Sequence, residues 1–550
     1  MAPRKQRLRK YIFVVGGVMS GVGKGIAASS IGQILQARGL AVTAIKIDPY
    51  INVDAGTMNP TEHGEVFVLA DGYETDQDMG NYERFMGLKL SRDNYMTTGS
   101  VYKRVIERER NLEYHGKCVE VVPHIPLEVI GTIRRAAEKA DADVTIIEIG
   151  GTIGEYQNIL FLEAARMMKA DDPEGVLFVL VSYLPIPNKI GEMKTKPTQY
   201  AARTLNGAGI QADFIIARAE RPLDDRRKEK IAISCSMRPE SVISAPDVDS
   251  IYDVPVNFEK DRLSDAILRR LHLKSRKSTL ALWKKQVAEV KRLKRTVKIA
   301  IVGKYFKTGD FVLSDAYISV IESLKHAAFA NHRKPELTWI DSTEYEQDPK
   351  RLRELQAFDG VLIPGGFGAR GVEGKILAIE YCRKKRIPYF GICYGMQLAV
   401  IEYARHIAAF PGANTTEVNP KTDHPVIDIL PEQKAKLARR EYGGTMRLGE
   451  YPAVLKKGTL AEQAYGTKKI IERHRHRYEV NPEYVARLRE AGMVFSGTSP
   501  DGVLMEIAEL PKKTHPFFVG VQFHPEFQSS ILQPHPIFHA FIKAATKGRK

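Results

Sequence analysis

The chain has 550 residues, 43% hydrophobic and 27% charged, a balance that excludes disordered and fibrous classes and allows two or more full-sized domains. Its formal net charge of +16 suits nucleic acid and polyanionic nucleotides equally, and much of it is local, in MAPRKQRLRK at the start and in KSRK, KKQ and VKRLKRT between residues 274 and 297. Such runs are more often solvated tails and linkers than binding faces. Cys118, Cys235, Cys382 and Cys393 include no CxxC pair, so neither a zinc spacing nor a disulfide framework is present, and a reducing, cytoplasmic setting is expected. No apolar run approaches the roughly 18 residues of a membrane span, and the N-terminus lacks a signal peptide's apolar core.

In chain order, Tyr11 to Val15 reads as a buried strand and Ile26 to Gln36 as a helix packed on a sheet, with Gly16, Gly17, Gly21, Gly23 and Gly25 between them. A glycine-rich turn from strand to helix closes backbone N–H groups on a polyphosphate at the positive helix end, and Lys24 neutralises its charge. The spacing departs from G-x-x-x-x-G-K-[ST]. Gly17 comes one residue early, and Gly25 stands where a hydroxyl would hold Mg²⁺, so the metal needs other ligands.

Further apolar runs, Val42 to Ile47, Val144 to Ile149, Val176 to Val181, Phe214 to Ala217 and Ser241 to Ser244, alternate with helical stretches, which predicts a parallel sheet wrapped by helices. Residues 46 to 85 are dense in Asp, Glu and Gly and put Lys46 and several carboxylates at a strand's C-terminal end, where such sheets bind ligands. Asp78, and Glu148 at the end of the next apolar strand, are the expected metal ligands, because Mg²⁺ needs only one or two carboxylates plus phosphates. In residues 107 to 126, Cys118 and His124 are read as a buried small thiol and a helix-start or loop histidine, since no orienting acid is evident. Lys194, Thr195, Lys196, Pro197, Thr198 and Gln199 form a cationic, hydrogen-bonding patch suited to a triphosphate.

Residues 258 to 296 are helical and basic and precede a new apolar strand, VKIAIVGKY, so the expected division is a first domain at 1–272, a linker at 273–296 and a second domain at 297–550. Strands are expected at Gly360 to Ile363 and Pro388 to Ile392. Glycines on both sides of Cys393 permit a tight elbow that exposes a nucleophile at a helix N-terminus, where the dipole favours thiolate. In VGVQFHPEF, His524 and Glu526 are read as sharing one face of a single strand, so that a base and its orienting acid can meet Cys393. PGGFGARGVEG can point N–H groups at an oxyanion and adds a cation and an acid, Arg370 and Glu373.

Taken together, KIDPYINVDAGTM, HGEVFV, IIEIGGTIGE, GEMKTKPTQ, DVDSIY, PGGFGARGVEG, GTMRLG, ERHRHRYEVN and QFHPEF resemble the CTP synthase family, over about residues 10 to 545. The resemblance implies an α/β protein of two doubly wound parallel-sheet domains. The N-terminal one would be a dethiobiotin-synthetase-like phosphate-loop amidoligase and the C-terminal one a class I glutamine amidotransferase. ATP would phosphorylate the uracil O4 of UTP, and ammonia from glutamine would displace that phosphate. By the same resemblance Gly21, Val22, Gly23, Lys24, Gly25, Ile26, Asp78 and Val248 meet ATP, and Asp78 and Glu148 hold Mg²⁺. Ser20, Glu155, Tyr156, Gln157, the Lys194 to Gln199 segment and Lys230 take UTP or the inhibitor CTP.

In the second domain the resemblance assigns Cys393 to thioester formation, His524 to general base and acid, and Glu526 to orienting the imidazole. Gly366 and Tyr394 would supply oxyanion N–H groups, Gly395, Met396, Gln397, Glu417 and Arg477 would surround glutamine, and Arg370, Gly371 and Glu373 would meet the allosteric activator GTP. A homotetramer built from dimers is implied, with no nucleic-acid or membrane partner. Two positions depart from the pattern: Tyr394 replaces a common Leu, which bears on packing, and Gln157 replaces an acid that helps bind inhibitory CTP. Cobyrinate-type amidotransferases would not require KTKPTQ or an acid after His-Pro, and a non-enzymatic ParA-like switch would have lost Cys393 or His524. A nucleic-acid reading rests on charge alone and would require strongly salt-dependent duplex binding.

Overall fold

The computed structural model describes residues 9–187, 191–276, 280–304, 307–308, 311–312, 314–429 and 446–547. The basic tail before residue 9, Lys277 of KSRK, Tyr305 of VKIAIVGKY and the Gly444–Thr445 start of GTMRLG lie outside them. Two compact units form: Met1–Ala55 with Asp78–Ala288, and Gly56–Gln77 with Glu289–Lys550.

The first unit is built on seven strands, β1 (Lys10–Gly16), β2 (Val42–Asp48), β3 (Tyr95–Thr97), β4 (Val144–Ile149), β5 (Val176–Tyr183), β6 (Phe214–Ala219) and β7 (Val242–Pro246). They pair in the order β3-β2-β4-β1-β5-β6-β7, every pair parallel. Such a sheet is covered on both faces, which is why its strands read as continuous apolar runs; Phe13, Ile45, Ile147, Phe178 and Ile215 are buried in one core. Helices α1 (Lys24–Ala37) and α2 (Asp78–Met86) pack together, and Gly32 leaves the space that the Met86 side chain fills. Helix α3 (Lys196–Gly207) follows β5. The basic stretch after residue 273 includes Trp283, which is buried and donates from Nε1 to the Tyr252 carbonyl at 2.8 Å, so part of it belongs to the first unit.

The second unit has nine strands in one sheet: β8 (Thr296–Gly303), β9 (Lys334–Asp341), β10 (Gly360–Ile363), β11 (Tyr389–Ile392), β12 (Arg447–Leu455), β13 (Lys469–His476), β14 (Val494–Thr498), β15 (Met505–Glu509) and β16 (Phe518–Val521). Their order is β9-β8-β10-β11-β16-β15-β14-β12-β13. The first five are parallel, wrapped by helices that include α4 (Val372–Lys385) and α5 (Tyr394–His406); from β16 to β13 the pairing is antiparallel. Antiparallel pairs need no helical crossover, which lets short connections extend the sheet beyond its wrapped half.

Residues 56–77 fold with this second unit. Phe67 sits edge-on to Phe527, Glu65 accepts from the Ser319 backbone N–H at 3.2 Å, and Arg475 Nε pairs with Glu74 at 2.8 Å. Two sequence expectations need correction. His524 and Glu526 do not share a strand: β16 ends at Val521, and Pro525, whose missing N–H cannot extend a ladder, opens a 3₁₀ turn, Pro525–Gln528. Cys118 is exposed, not buried, because it lies in the irregular stretch before the helix Val121–Lys139, whose first turn holds His124.

Candidate functional site

In the first unit, the C-terminal ends of the central strands gather the charged groups. The turn after β1 reaches α1 through Gly23 at φ 89°, left-handed backbone that favours glycine. Lys24 is buried, with its Nζ donating to the Gly151 carbonyl at 2.8 Å; burial lowers its pKa, opposed by the charge of Glu148. A Cβ on Gly25 would overlap the Asp78 carboxylate. The absent hydroxyl of the phosphate loop is thus replaced sterically: glycine is needed so that Asp78, at the start of α2, can reach the start of α1.

Lys46, at the end of β2, donates to Asp78 and to Glu148 Oε1, the latter at 2.7 Å, and Tyr82 donates to the other Glu148 oxygen. Burial, then repulsion from Asp78, raises the Glu148 pKa, with Lys46 acting against both. Burial would also raise that of Asp78, but Lys46, by charge and hydrogen bond, carries it below its ordinary value. A buried carboxylate, Glu148, and a part-buried one, Asp78, both reach Lys46 beside the phosphate loop, where a Cβ on residue 25 would overlap Asp78, and the pair fits a divalent cation.

KTKPTQ forms the start of α3, where unpaired N–H groups and the helix dipole favour an anion. Lys194 pairs with Glu192 at 2.7 Å, Gln199 donates to Thr195 Oγ1 at 3.1 Å, and the Thr198 hydroxyl is turned inward onto Ser182 at 2.8 Å. Thr198 is therefore committed to the core and not to the exposed patch. Lys230 is exposed, and its charge helps lower the Glu192 pKa, after the hydrogen bond and charge of Lys194. Ser20 and Tyr156 are exposed, and Gln157 donates to Glu155 at 2.7 Å. Val248 follows Asp247, which pairs with Arg218 at 2.6 Å. Arg218 itself reaches the place where a Gly23 Cβ would stand, so an arginine at the end of β6 overhangs the phosphate loop. Nothing in its surroundings FIIARAE marks it in the sequence.

In the second unit, Cys393 joins β11 to α5 at φ 49° and ψ −100°, a strained conformation for a residue with a Cβ. The elbow is tight on both sides: a Cβ on Gly391 would meet the Gly395 backbone, and one on Gly395 would run into the Ile363 carbonyl. The thiol opens onto a cavity of about 580 Å³. Sγ is 3.9 Å from the Arg475 carbonyl and 3.7 Å from Gln522 Nε2, which donates to it. His524 Nδ1 is 2.7 Å from Glu526 Oε1, and Nε2 is buried with no hydrogen-bond partner among the described residues. Burial alone would lower the imidazole pKa, but the Glu526 carboxylate and then Cys393 outweigh it and push it up to about 10. A thiol beside an imidazole that is in turn held by a carboxylate is the arrangement of a nucleophile, its base and an orienting acid.

Gly366, Gln397, Glu417 and Arg477 line the same cavity. Gln397 donates to the Tyr478 carbonyl at 2.9 Å, and Glu417 accepts from the Gly368 N–H at 2.7 Å. Burial raises the Glu417 pKa, with Gly368, Lys304 and Arg477 opposing. Tyr394, Gly395 and Met396 are buried in the first turn of α5, and the tyrosine in place of leucine is accommodated by donating its hydroxyl to the Gly368 carbonyl at 3.1 Å. Residues 56–60, Glu65 and Val66 complete the cavity wall.

Comparison with known proteins settles the family. The family described as CTP synthase N-terminus matches residues 10–273, and glutamine amidotransferase class-I matches residues 312–544. The CTP synthase of Thermococcus kodakarensis is 50% identical over 542 residues, 98% of this chain and 99% of that protein. That of Geobacillus kaustophilus is 49% identical over 541 residues, 98% of this chain and all of that protein. The chain belongs to the CTP synthase family. It is a glutamine-hydrolysing, ATP-dependent ligase that makes CTP from UTP. Among solved structures, a glutaminase domain of Trypanosoma brucei CTPS with bound acivicin is 36% identical and covers 46% of this chain and 96% of its own, at a TM-score of 0.42.

His474, His476 and Arg447 were not legible as site residues. The ERHRHRY motif places His474 and His476 on β13, where burial pushes the pKa of both well below the ordinary histidine value and Nδ1 of the first lies 2.9 Å from Nε2 of the second. Arg447 on the neighbouring strand pairs with Glu506 at 2.8 Å and Glu479 at 3.3 Å. This buried polar layer fixes the strand whose Arg475 carbonyl meets the thiol. Glu373 is held in a two-pronged pair by Arg405 at 2.7 and 3.2 Å, whereas Arg370 is exposed and its charge contributes to lowering the Lys304 pKa, after burial and against Glu417. Gly371, at φ 72°, caps α4. Among the described residues no helix is long and apolar enough to cross a membrane.

Proposed function

We propose that the second unit hydrolyses glutamine through a Cys393 thioester and that the first unit phosphorylates UTP at O4, after which ammonia displaces the phosphate at C4. In the first half-reaction the Cys393 thiolate adds to the amide carbon, and His524 passes its proton to the departing ammonia. It then takes a proton from water to release glutamate, with Glu526 holding the ring through Nδ1. The Gly366 and Tyr394 N–H groups receive the oxyanion, and Arg477 meets the substrate carboxylate, with Gln397 and Glu417 beside it. In the second, residues 21–26 cradle ATP, and the start of α3 with Ser20 and Lys230 takes the UTP triphosphate.

Asp78 and Glu148 would hold Mg²⁺, which when bound neutralises charge on the transferring phosphates. Lys46, now between the two carboxylates, then becomes available to the same phosphates. GTP, meeting Arg370, Gly371 and Glu373, would act on the neighbouring oxyanion loop; CTP would compete at the UTP site through Glu155, Tyr156 and Gln157. A homotetramer and a cytoplasmic setting complete the reading.

The observation that carries it is the strained Cys393 elbow opening on one cavity with a His524–Glu526 pair in a unit of its own, apart from the phosphate loop. The test is CTP formation by Cys393→Ala from UTP and ATP with glutamine or with ammonium chloride. Glutamine-dependent synthesis should vanish and the ammonia-dependent rate stay near wild type. Equal loss of both would refute the division of labour.

A further inference from the structure

Lys375 on α4 is fully buried, and its Nζ has no hydrogen-bond partner among the described residues. The amine lies 5.3 Å from the centroid of the Tyr394 ring, a weak cation–π contact. Burial, and then the charge of Lys304, lowers its pKa to about 7, with Asp341 pulling the other way. An amine kept dry without a partner is unfavourable, and native structures retain few such groups unless another state satisfies them.

The amine stands behind the oxyanion loop. Gly365 and Gly366 line the cavity while Lys375 does not, and the Cβ that Gly366 lacks would point towards Lys375 Nζ and the Tyr394 ring, at 3.9 Å from each. At present the Gly365 carbonyl accepts from the hydroxyl of Tyr317, a residue of the cavity wall, at 3.4 Å, a long bond. In a trans peptide the C=O and the following N–H point in opposite directions. With the carbonyl on the Tyr317 side, the Gly366 N–H points the opposite way. Two successive glycines allow that peptide to rotate.

We propose that Lys375 is a positioning residue of the oxyanion loop: its amine receives the Gly365 carbonyl when the Gly365–Gly366 peptide rotates to present the Gly366 N–H to the tetrahedral oxyanion. The inference rests on the glutaminase reading of the Cys393 cavity and deepens it by supplying the second arrangement of the loop.

The test is Lys375→Met, close in length and without donors, beside Lys375→Gln, which keeps an N–H. In the full chain with glutamine, kcat for glutamate release by Lys375→Met should fall about tenfold to a hundredfold, a part of the 10² to 10³ that loss of an oxyanion donor costs, with KM within twofold. Lys375→Gln should recover much of it. Alkylation of Cys393 by iodoacetamide, which forms no oxyanion, should proceed at the wild-type rate. Because an unpaired buried amine is removed, the melting midpoint of Lys375→Met should stay level or rise. A kcat within twofold of wild type, a parallel loss of alkylation, or a lowered melting midpoint would overturn the proposal. Absence of glutamate release by the wild-type protein would instead remove the glutaminase reading on which it rests.

Discussion

Replacing Glu526 by Gln keeps the shape of the side chain beside His524 and removes its charge. The imidazole now holds its proton up to about 10, against an ordinary 6.5, and burial acts in the opposite direction, so the whole gap comes from neighbours, Glu526 foremost and Cys393 next. That gap of about 3.5 units corresponds to about 5 kcal/mol, at ~1.36 kcal/mol per unit. Glu526 is foremost among those neighbours, so removing its charge weakens the imidazole's hold on its proton, and each factor of ten lost in that hold lowers the constant for proton transfer from thiol to imidazole by the same factor. The sign fixes the pH behaviour of the base: a raised histidine pKa keeps the imidazole protonated at low pH, and that proton is lost as pH climbs through about 10. Iodoacetamide reacts with thiolate, so the rate at which it alkylates Cys393 reports how far the imidazole draws the proton from the thiol. Glu526→Gln should react about ten- to a hundredfold more slowly at pH 7 and climb with pH as a free thiol does. Ammonia-dependent CTP synthesis is the control for the rest of the chain. A variant rate within threefold of wild type at pH 7 would refute the claim that this carboxylate sustains the imidazole's hold on that proton.

Two further outcomes follow from other contacts. Gly25→Ser restores the residue usual in phosphate loops, yet its Cβ would drive Asp78 off Lys46, so ammonia-dependent CTP synthesis should drop at least tenfold while glutamate release persists; undiminished synthesis would show that Asp78 is not needed there. Arg370→Ala should lose GTP stimulation of glutamate release and keep its ammonia-dependent rate, since Arg370 is exposed beside the loop whereas Glu373 is already engaged by Arg405; full stimulation in the variant would rule the arginine out.

The apolar runs from Tyr11 to Ser244 announced six strands of the first sheet because strands covered on both faces must be apolar throughout, and each became a parallel strand with ends unchanged or shifted by a residue or two, while the short edge strand Tyr95–Thr97 was not among them. The Cys393 elbow was legible for a similar reason, since a turn that tight requires small neighbours. What failed to show was whatever depends on packing at a distance. His524 and Glu526 meet through a 3₁₀ turn that an apolar run into His-Pro does not distinguish from a strand end. The reason for Gly25 lies 53 residues away, in Asp78, and the burial of Lys375 is hidden because its own helix carries charges on most sides. Residues 56–77 share the acidic, glycine-rich character of the nucleotide loops around them, so nothing local reveals that they leave the first unit.

That excursion makes the two activities poor candidates for separation by cutting the chain near its middle. A fragment beginning at residue 289 would carry Cys393, His524 and Glu526 but would leave behind the wall from Gly56 to Val66, open the cavity to water, strip Glu65 from the Ser319 N–H and bare the Phe527 ring. The opposite fragment would keep 22 residues with nothing to fold on, ending one peptide bond before Asp78. A glutaminase that borrows part of its wall from the sequence of the synthetase loses that wall when the chain is cut between them.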